Sequence, residues 1–452
     1  MSDENKNQPD MQKIVSLCKR RGFVFPNSEI YGGFEASYDF GPLGAEILRK
    51  IRNLWWDEIV RKHENIVGLD GAIISHPRVW EASGHVESFA DSMVEDLVTH
   101  KRYRADHLIE DALGINTDGS SLAEYDEIIA KNNILSPDGN KLSKAKKFNN
   151  LVEVSMGTVE SEKSIAYLRG ETCQPIFYNY QLVKDSMRKK IPFGIAQIGK
   201  AFRNEIKVGP FFFRTKEFEQ MELEMYVNPK DSDKYYNLFQ EWAMNFYELL
   251  GISADKLRLR EQGFKERAHY NKVAHDAEYK FPFGWKEFTG IHYRSDWDLK
   301  RHGEFSNTDF TYHDDPSGEK YIPHIVELSM GLNRLLLVLL FDAYYEDGDR
   351  VVLKLDPKIA PYDYAVFPLV KNKENIVAKA REVYAKLVDL GYNVAWDDRG
   401  NVGKRYYSQD EIGTPKCITV DYQTLEDNTA TIRDRDTMKQ DRVELTSFYK
   451  TI

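Results

Sequence analysis

Phe202-Arg203-Asn204-Glu205 and, past a short loop, Phe213-Arg214-Thr215-Lys216-Glu217-Phe218-Glu219-Gln220-Met221-Glu222-Leu223-Glu224-Met225-Tyr226 are the stretch from which the rest of the chain can be read. Residues 195–226 have the pattern of strands. Met221, Leu223 and Met225 alternate with Phe218, Gln220, Glu222 and Glu224, which gives one apolar and one polar face. A strand with one packed face normally turns charge to water. An aromatic ring on the polar face suits a ligand platform as well. Arg203 and Arg214 flank the loop 206–210, and a hairpin there would bring both guanidinium groups to one side.

About 130 residues further on stands Glu327-Leu328-Ser329-Met330-Gly331-Leu332-Asn333-Arg334, which opens the apolar stretch 332–345. That stretch is apolar all round, so a buried helix is expected. An arginine in its first turn needs an anionic partner. Upstream, Leu43, Ile47, Leu48, Ile51, Leu54, Trp55 and Ile59 recur at helical spacing after Gly41-Pro42. The short apolar run Ala72-Ile73-Ile74 and then Pro77 follow. Residues 93–160 are the least regular part, with a helical patch at 122–130 and a turn at 136–139. They read as an insertion on a core, and the charged Tyr103-Arg104-Ala105-Asp106-His107 within them reads as a solvated loop. After Ala360-Pro361 the expected order is strand 364–370, helix 373–390, strand 393–397, helix 404–412, and strands 416–421 and 429–434. Such an order indicates a separate α/β domain of about 90 residues.

The 452 residues are long enough for two cores, and 42% hydrophobic with 30% charged content fits a soluble globular protein. No apolar run reaches the roughly 18 residues of a membrane span, and the polar start Met1–Asn7 does not read as a secretory or transit segment. A cytoplasmic protein is expected. Cys18, Cys173 and Cys417 are far apart and form no C-x-x-C pair, which argues against a cysteine-built zinc site and a disulfide framework. The net charge of −10 excludes a surface basic throughout but leaves room for a local basic groove.

No P-loop and no G-x-G-x-x-G opening a helix is present. A guanidinium fork bonds two phosphate oxygens at once. Arginines on strands are ordinarily surface residues, but here Arg203, Arg214 and Arg334 recur beside glutamates. Cations for phosphates next to carboxylates for an amine point to a site that joins ATP to an amino acid.

On these segments the chain resembles the class II aminoacyl-tRNA synthetases. The helix–strand–Pro77 unit is similar to motif 1, the dimer-forming element. Residues 202–218 are similar to motif 2, and Gly331-Leu332-Asn333-Arg334 to motif 3. More closely the chain resembles the glycyl-tRNA synthetases of the homodimeric kind. This rests on Tyr38-Asp39-Phe40-Gly41-Pro42-Leu43-Gly44, Ala82-Ser83-Gly84-His85, Lys101-Arg102-Tyr103-Arg104-Ala105-Asp106, Leu168-Arg169-Gly170-Glu171-Thr172-Cys173-Gln174, Glu217–Glu224 and Arg294-Ser295-Asp296-Trp297-Asp298-Leu299. The resemblance runs from about residue 14 to 444.

It implies an α+β fold: a class II antiparallel sheet with flanking helices over 11–357, carrying the insertion 93–160, behind a disordered start at 1–10. An anticodon-binding α/β domain over 358–452 follows. It implies ATP-dependent attachment of glycine to the 3′ end of tRNA through a glycyl-adenylate, by a homodimer using Mg²⁺ at unassigned ligands. Arg203 matches the α-phosphate arginine, Glu205 the residue reading the adenine amino group, and Phe218 the ring on adenine. Arg334 matches the arginine on adenine's other face, and Arg214 would sit by the far phosphates. Glu171, Glu222 and Glu327 match carboxylates around the glycine ammonium, where each is expected to raise the others' pKa. Ser329 matches a nearby hydroxyl, and Arg169 a partner for the substrate carboxylate. Arg433 and Arg435 are candidate anticodon contacts.

The chain departs from the family at Gly170 and Pro175, where proline and glycine are usual, and at Asn333. Cys173 stands where alanine is usual and reads as a small buried apolar residue. Two other readings stay open. One is another synthetase of the same subgroup, which the three glutamates count against. The other is a non-catalytic, nucleic-acid-binding relative, which Arg203 and Arg334 count against.

Overall fold

The structure, a computed structural model, describes residues 9–88, 90–115, 117, 120–157, 164–205, 209–263, 267–268 and 271–452. The start expected to be disordered lies outside these residues up to residue 8. Asp10 caps the first helix, Met11–Arg21, by accepting from the Lys13 amide at 2.8 Å.

Seven strands form the main sheet: β1 (Ile66–Gly68), β2 (Phe193–Phe202), β3 (Glu217–Val227), β4 (Leu257–Glu261), β5 (Val273–Phe281), β6 (Gly284–Ser295) and β7 (His324–Gly331). Their spatial order is β4-β5-β6-β7-β3-β2-β1, antiparallel throughout except where β1 runs parallel to β2. Helices α1 (Pro42–Trp55), α2 (Ser232–Leu249) and α3 (Leu332–Ala343) cover one face. Under them Met221, Leu223 and Met225 of β3 and Val326, Leu328 and Met330 of β7 enter one core with Leu335, Leu336 and Leu339 of α3. The pleat then turns Gln220, Glu222 and Glu224 of β3 to the opposite face with Glu327 and Ser329 of β7. That polar face is not solvated: Glu222, Glu224 and Glu327 are all buried.

Helix α1 starts with Pro42 in its first turn, where a missing N–H is harmless, and continues as a wider π turn over Trp56–Arg61. Arg52 on α1 grips the Glu219 carboxylate with Nε at 2.5 Å and Nη2 at 2.6 Å, while the Glu219 amide donates to Asn333 Oδ1 at 2.8 Å. Asn333 thus ties the start of α3 to β3.

The irregular insertion is folded, and the helical patch expected at 122–130 is a helix. Strands Ala90–Glu95, Arg102–Arg104 and Lys146–Asn149 make a small sheet, and helices Ala105–Leu113 and Leu122–Lys131 join it around a core of Val94, Ala105, Leu108, Ile109, Tyr125 and Ile134. Residues 103–107 are therefore no solvated loop: Ala105 is buried, and Asp106 pairs with Arg104. Charge-rich composition hid a helix start whose acidic group has its partner two residues away.

The last part is a second sheet of β8 (Tyr364–Pro368), β9 (Val394–Trp396), β10 (Lys416–Val420), β11 (Thr429–Asp434) and β12 (Gln440–Glu444), in order β9-β8-β10-β11-β12. The first three run parallel and the last two antiparallel. Helix α4 (Glu374–Asp389) packs Ile376, Ala380, Val383 and Leu387 against Val366, Ile418 and Val420. Strand β12 and the helices Tyr422–Asp427 and Leu445–Thr451 had not been read from the sequence.

Arg433 and Arg435 do not reach solvent; each is 3% exposed. Arg433 binds Asp410 through both terminal nitrogens at 2.9 and 3.0 Å, and Arg350 Nε reaches the same carboxylate at 2.7 Å. Arg435 donates to the carbonyls of Leu355 and Gly413 at 2.9 and 2.8 Å. These arginines tie the C-terminal sheet to the hairpin of strands Tyr344–Asp347 and Arg350–Leu353 before it, so the expected anticodon role is corrected: a guanidinium buried on the protein's own acceptors is not presented to a phosphate. Asp410→Ala would strand two buried guanidinium groups. The expected cost is about 3–5 kcal/mol, read as a lower denaturant midpoint.

Candidate active site

A cleft of about 310 Å³ opens on the polar face of the main sheet. Its floor is set by register. Glu222 on β3 faces Ser329 on β7, which faces Gly290 on β6; one row on, Glu224 faces Glu327, which faces His292. Side chains two apart on a strand share a face, so the three strands bring their polar groups into a block. Gly290 is required there, because a Cβ would stand 2.5 Å from Cε1 of His292.

Arg294, 2% exposed, organises the block. Its Nε and Nη2 bond Asp298 at 2.8 Å each, and Nη1 bonds Glu327 Oε2 at 2.5 Å. His292 Nδ1 meets the other oxygen of Glu327. Glu222 accepts from Ser329 Oγ and Gln220 Nε2 at 2.8 Å each and from the Thr172 hydroxyl. Glu171 accepts from Gln174 Nε2 at 2.8 Å and from the Cys173 thiol at 3.0 Å. His85 Nε2 lies 3.4 Å from the other Glu171 oxygen, and the Ser83 hydroxyl lies 2.8 Å from His85 Nδ1.

The expected mutual raising acts on Glu222 and Glu327, but the carboxyl groups do not titrate alike. Burial raises all of them, but cations reverse it for two. Arg294 and His292 hold Glu327 down to about 2, and His85 with Arg294 holds Glu171 well below the usual range. Glu222 makes no ion pair among the described residues; burial, then Glu327 and Glu171, push it up to about 7. Glu224 is pushed well up by burial and then by Glu327. The block therefore holds ionised and protonated carboxyls side by side, and Glu222 is poised to ionise when a cation arrives.

At the other end Arg203, Arg214 and Arg334 line the same cleft with Glu205, Phe213 and Phe218. Arg203 Nε is braced on the Gly170 carbonyl at 2.9 Å, and its guanidinium lies 5.2 Å from the Phe218 ring centre. Arg334 bonds the Phe213 carbonyl and the Glu287 carbonyl at 3.1 Å each and lies 4.7 Å over the Phe213 ring. Its anionic neighbour is Glu287, 3.5 Å away. Burial lowers the Arg334 pKa, Glu287 opposes this, and Arg214 and Arg203 add to the lowering. Three guanidinium groups that repel one another form a pre-set anion site. Residues 206–208 of the loop between Arg203 and Arg214 lie outside the described residues.

The structure thus gathers Glu171, Arg203, Glu205, Arg214, Phe218, Glu222, Glu327, Ser329 and Arg334 in one cleft. Arg169 is not on its wall. Its Nε and Nη1 are spent on the carbonyls of Lys200 and Gly71 at 2.6 and 2.7 Å, so its expected place opposite a substrate carboxylate is corrected. Sequence reasoning missed His292, Arg294, Phe213 and Glu287. The string from Arg294 to Leu299 carried the signal for Arg294 and Asp298, and strand alternation would then have added His292 and Gly290.

The chain matches known proteins in sequence over both parts. The family described as "tRNA synthetase class II core domain (G, H, P, S and T)" matches residues 158–342, and the family described as "Anticodon binding domain" matches residues 363–452. The chain is 47% identical to a glycine–tRNA ligase of Borreliella burgdorferi over 98% of this chain and 96% of that one. It is 45% identical to the glycine–tRNA ligases of Clostridium perfringens and Geobacillus kaustophilus, over 96% of both chains in each case.

The state of Glu222 makes a pH prediction. Its folded pKa lies above its unfolded one, so the folded state binds the extra proton. Its contribution to stability is fully present at acid pH and falls as pH rises from about 4.5 to about 7. Glu222→Gln removes that fall. The melting temperature of the variant relative to the parent, without ligand, is expected to be higher at pH 8 than at pH 5. An equal difference at both pH values would contradict the raised pKa.

Proposed function

This chain belongs to the glycine–tRNA ligase family of class II synthetases, enzymes that use ATP to attach glycine to tRNA, and we propose how its cleft carries the reaction. One observation supports the reading most: a single cleft has converging arginines at one end and a buried carboxylate block at the other. ATP enters with its phosphates at the arginines. Glu205 takes the adenine amino group, Phe218 one face of the ring and Arg334 the other, with Phe213 backing Arg334. Arg214 takes the distal phosphates.

Glycine lies with its ammonium among Glu171, Glu222 and Glu327 and beside Ser329. Glu327 is oriented by Arg294 and His292, and Glu222 ionises fully once the ammonium arrives. Arg294 lines this end and acts by holding Glu327, since its three guanidinium nitrogens are taken by Asp298 and Glu327. A glycine carboxylate oxygen then bonds the α-phosphorus while the bond to pyrophosphate breaks. Arg203 stabilises the charge that builds on the phosphate. In the second step the terminal ribose hydroxyl of tRNA attacks the glycyl carbonyl and AMP leaves. Most of the acceleration is positioning and fixed charge.

Mg²⁺ belongs with the triphosphate. Among the described residues the one cluster spaced to hold an ion is Cys173, Glu222 and Glu224. A thiol does not suit so hard a cation, so no step is assigned to a protein-bound Mg²⁺. Specificity follows from space: a side chain on the substrate Cα has to displace buried groups at roughly 1–3 kcal/mol.

We place the catalytic domain at 11–357, with the insertion 93–160 on it, and the anticodon-binding domain at 358–452. We also infer a homodimer built on the motif 1 unit, which leaves Ile73 and Ile74 exposed. No helix among the described residues is long and apolar enough to cross a membrane.

Glycine-dependent exchange of pyrophosphate into ATP, without tRNA, tests the cleft. Exchange is expected with glycine and not with alanine or serine, and Arg203→Ala is expected to lower it by about 100-fold or more. Equal exchange by parent and variant would remove Arg203 from the site.

A further inference from the structure

One row deeper than Glu222, the sheet holds a group that glycine activation does not use. Glu224 is fully buried, and neither of its carboxylate oxygens has a hydrogen-bond partner among the described residues. Native proteins rarely leave such a group unmatched, because its desolvation is not repaid. Cys173, at the head of the helix Gln174–Tyr178, is buried beside it, in no disulfide, with its thiol donating to Glu171 at 3.0 Å. One ligand atom from each of Cys173, Glu222 and Glu224 lies within 4.8 Å of the other two.

We propose that Cys173, Glu222 and Glu224 bind a thiophilic divalent cation of the zinc or cadmium class at the floor of the amino-acid pocket, and that this cation and the substrate ammonium exclude one another. One thiolate and two carboxylates are a borderline-soft donor set, which favours zinc-like ions over Mg²⁺. Zinc bonds of about 2.0 Å to oxygen and 2.3 Å to sulfur put tetrahedral ligand atoms about 3.5 Å apart. As the bonds form, the thiol and carboxyl protons leave to solvent. Glu222 also lines the cleft, so a fourth, water position faces the opening. The nearby Arg294 does not bar a cation, because Asp298 and Glu327 already bracket its charge. The ion takes Glu224, which no substrate group reaches, and Glu222, which the ammonium needs. An ion on Glu222 takes up the negative charge that the ammonium would meet there, so the two compete for it.

The test is titration of the chelator-stripped, full-length protein with Cd²⁺ in the absence of glycine, following the ultraviolet sulfur-to-metal charge-transfer band. One equivalent per chain is expected to saturate the band, and Zn²⁺ to bleach it. Cys173→Ala is expected to abolish it. Glu224→Gln, which keeps the side-chain shape, is expected to weaken binding by more than about tenfold. Saturating glycine is expected to weaken it as well. No band, or an equal band in Cys173→Ala from Cys18 or Cys417, overturns the site. The metal half stands on the cluster alone, whereas the competition half rests on the amino-acid reading of the cleft. A Cys173-dependent band that glycine leaves unchanged overturns the exclusion.

Discussion

Arg294 is the charge on which the site depends. It is sealed from solvent, yet it meets two carboxylates, Asp298 four residues on and Glu327 across the sheet. A buried guanidinium without such partners would be prohibitively costly, and Glu327 without the guanidinium would lose the main cation that keeps it ionised. The triad therefore fixes Glu327 in its ionised form and in one orientation. Glu222 and Glu224, which form no ion pair among the described residues, move the opposite way. Acid and anion stand a few ångströms apart because one arginine is shared unevenly.

The sheet makes this arrangement possible. Its apolar face is closed by α1, α2 and α3, so the strands are held from behind and the polar face need not contribute apolar burial. What the polar face loses in desolvation it recovers through a dense set of hydrogen bonds, of which Ser329, Gln220 and the Thr172 hydroxyl to Glu222 are examples. The arginine end works differently. Arg203 and Arg334 are braced on backbone carbonyls and aromatic rings, and so are held against mutual repulsion before any anion arrives. Pre-organisation of this kind is what makes fixed charge effective in a reaction.

The two sheets are joined by the same economy of buried charge. Asp410 receives Arg350 from the hairpin before the second sheet and Arg433 from within it, and Arg435 closes on backbone carbonyls of both parts. Basic residues near the end of a chain with a tRNA partner invite a nucleic-acid reading, and here that reading fails. Whether an arginine faces a phosphate or a buried carboxylate depends on residues 20 to 80 positions away.

Local patterns settled much about this protein without coordinates. Period-two alternation in 217–226 separated the core face from the site face. Helical spacing in 43–59 and the apolar stretch after Gly331 located two of the covering helices, and the long strings around Glu171, Glu222 and Arg334 named the family. These are properties of neighbouring residues, and a pleat or a helical turn converts them directly into faces. Tertiary structure alone decided the pairing of Glu222 with Ser329 and Gly290, the folded insertion, the withdrawal of Arg169 from the cleft and the inward turn of Arg433 and Arg435. It also decided which carboxyls hold protons. Register and burial are set by partners distant in sequence, and in a low-dielectric interior the partner, not the residue type, determines what a charged group can do.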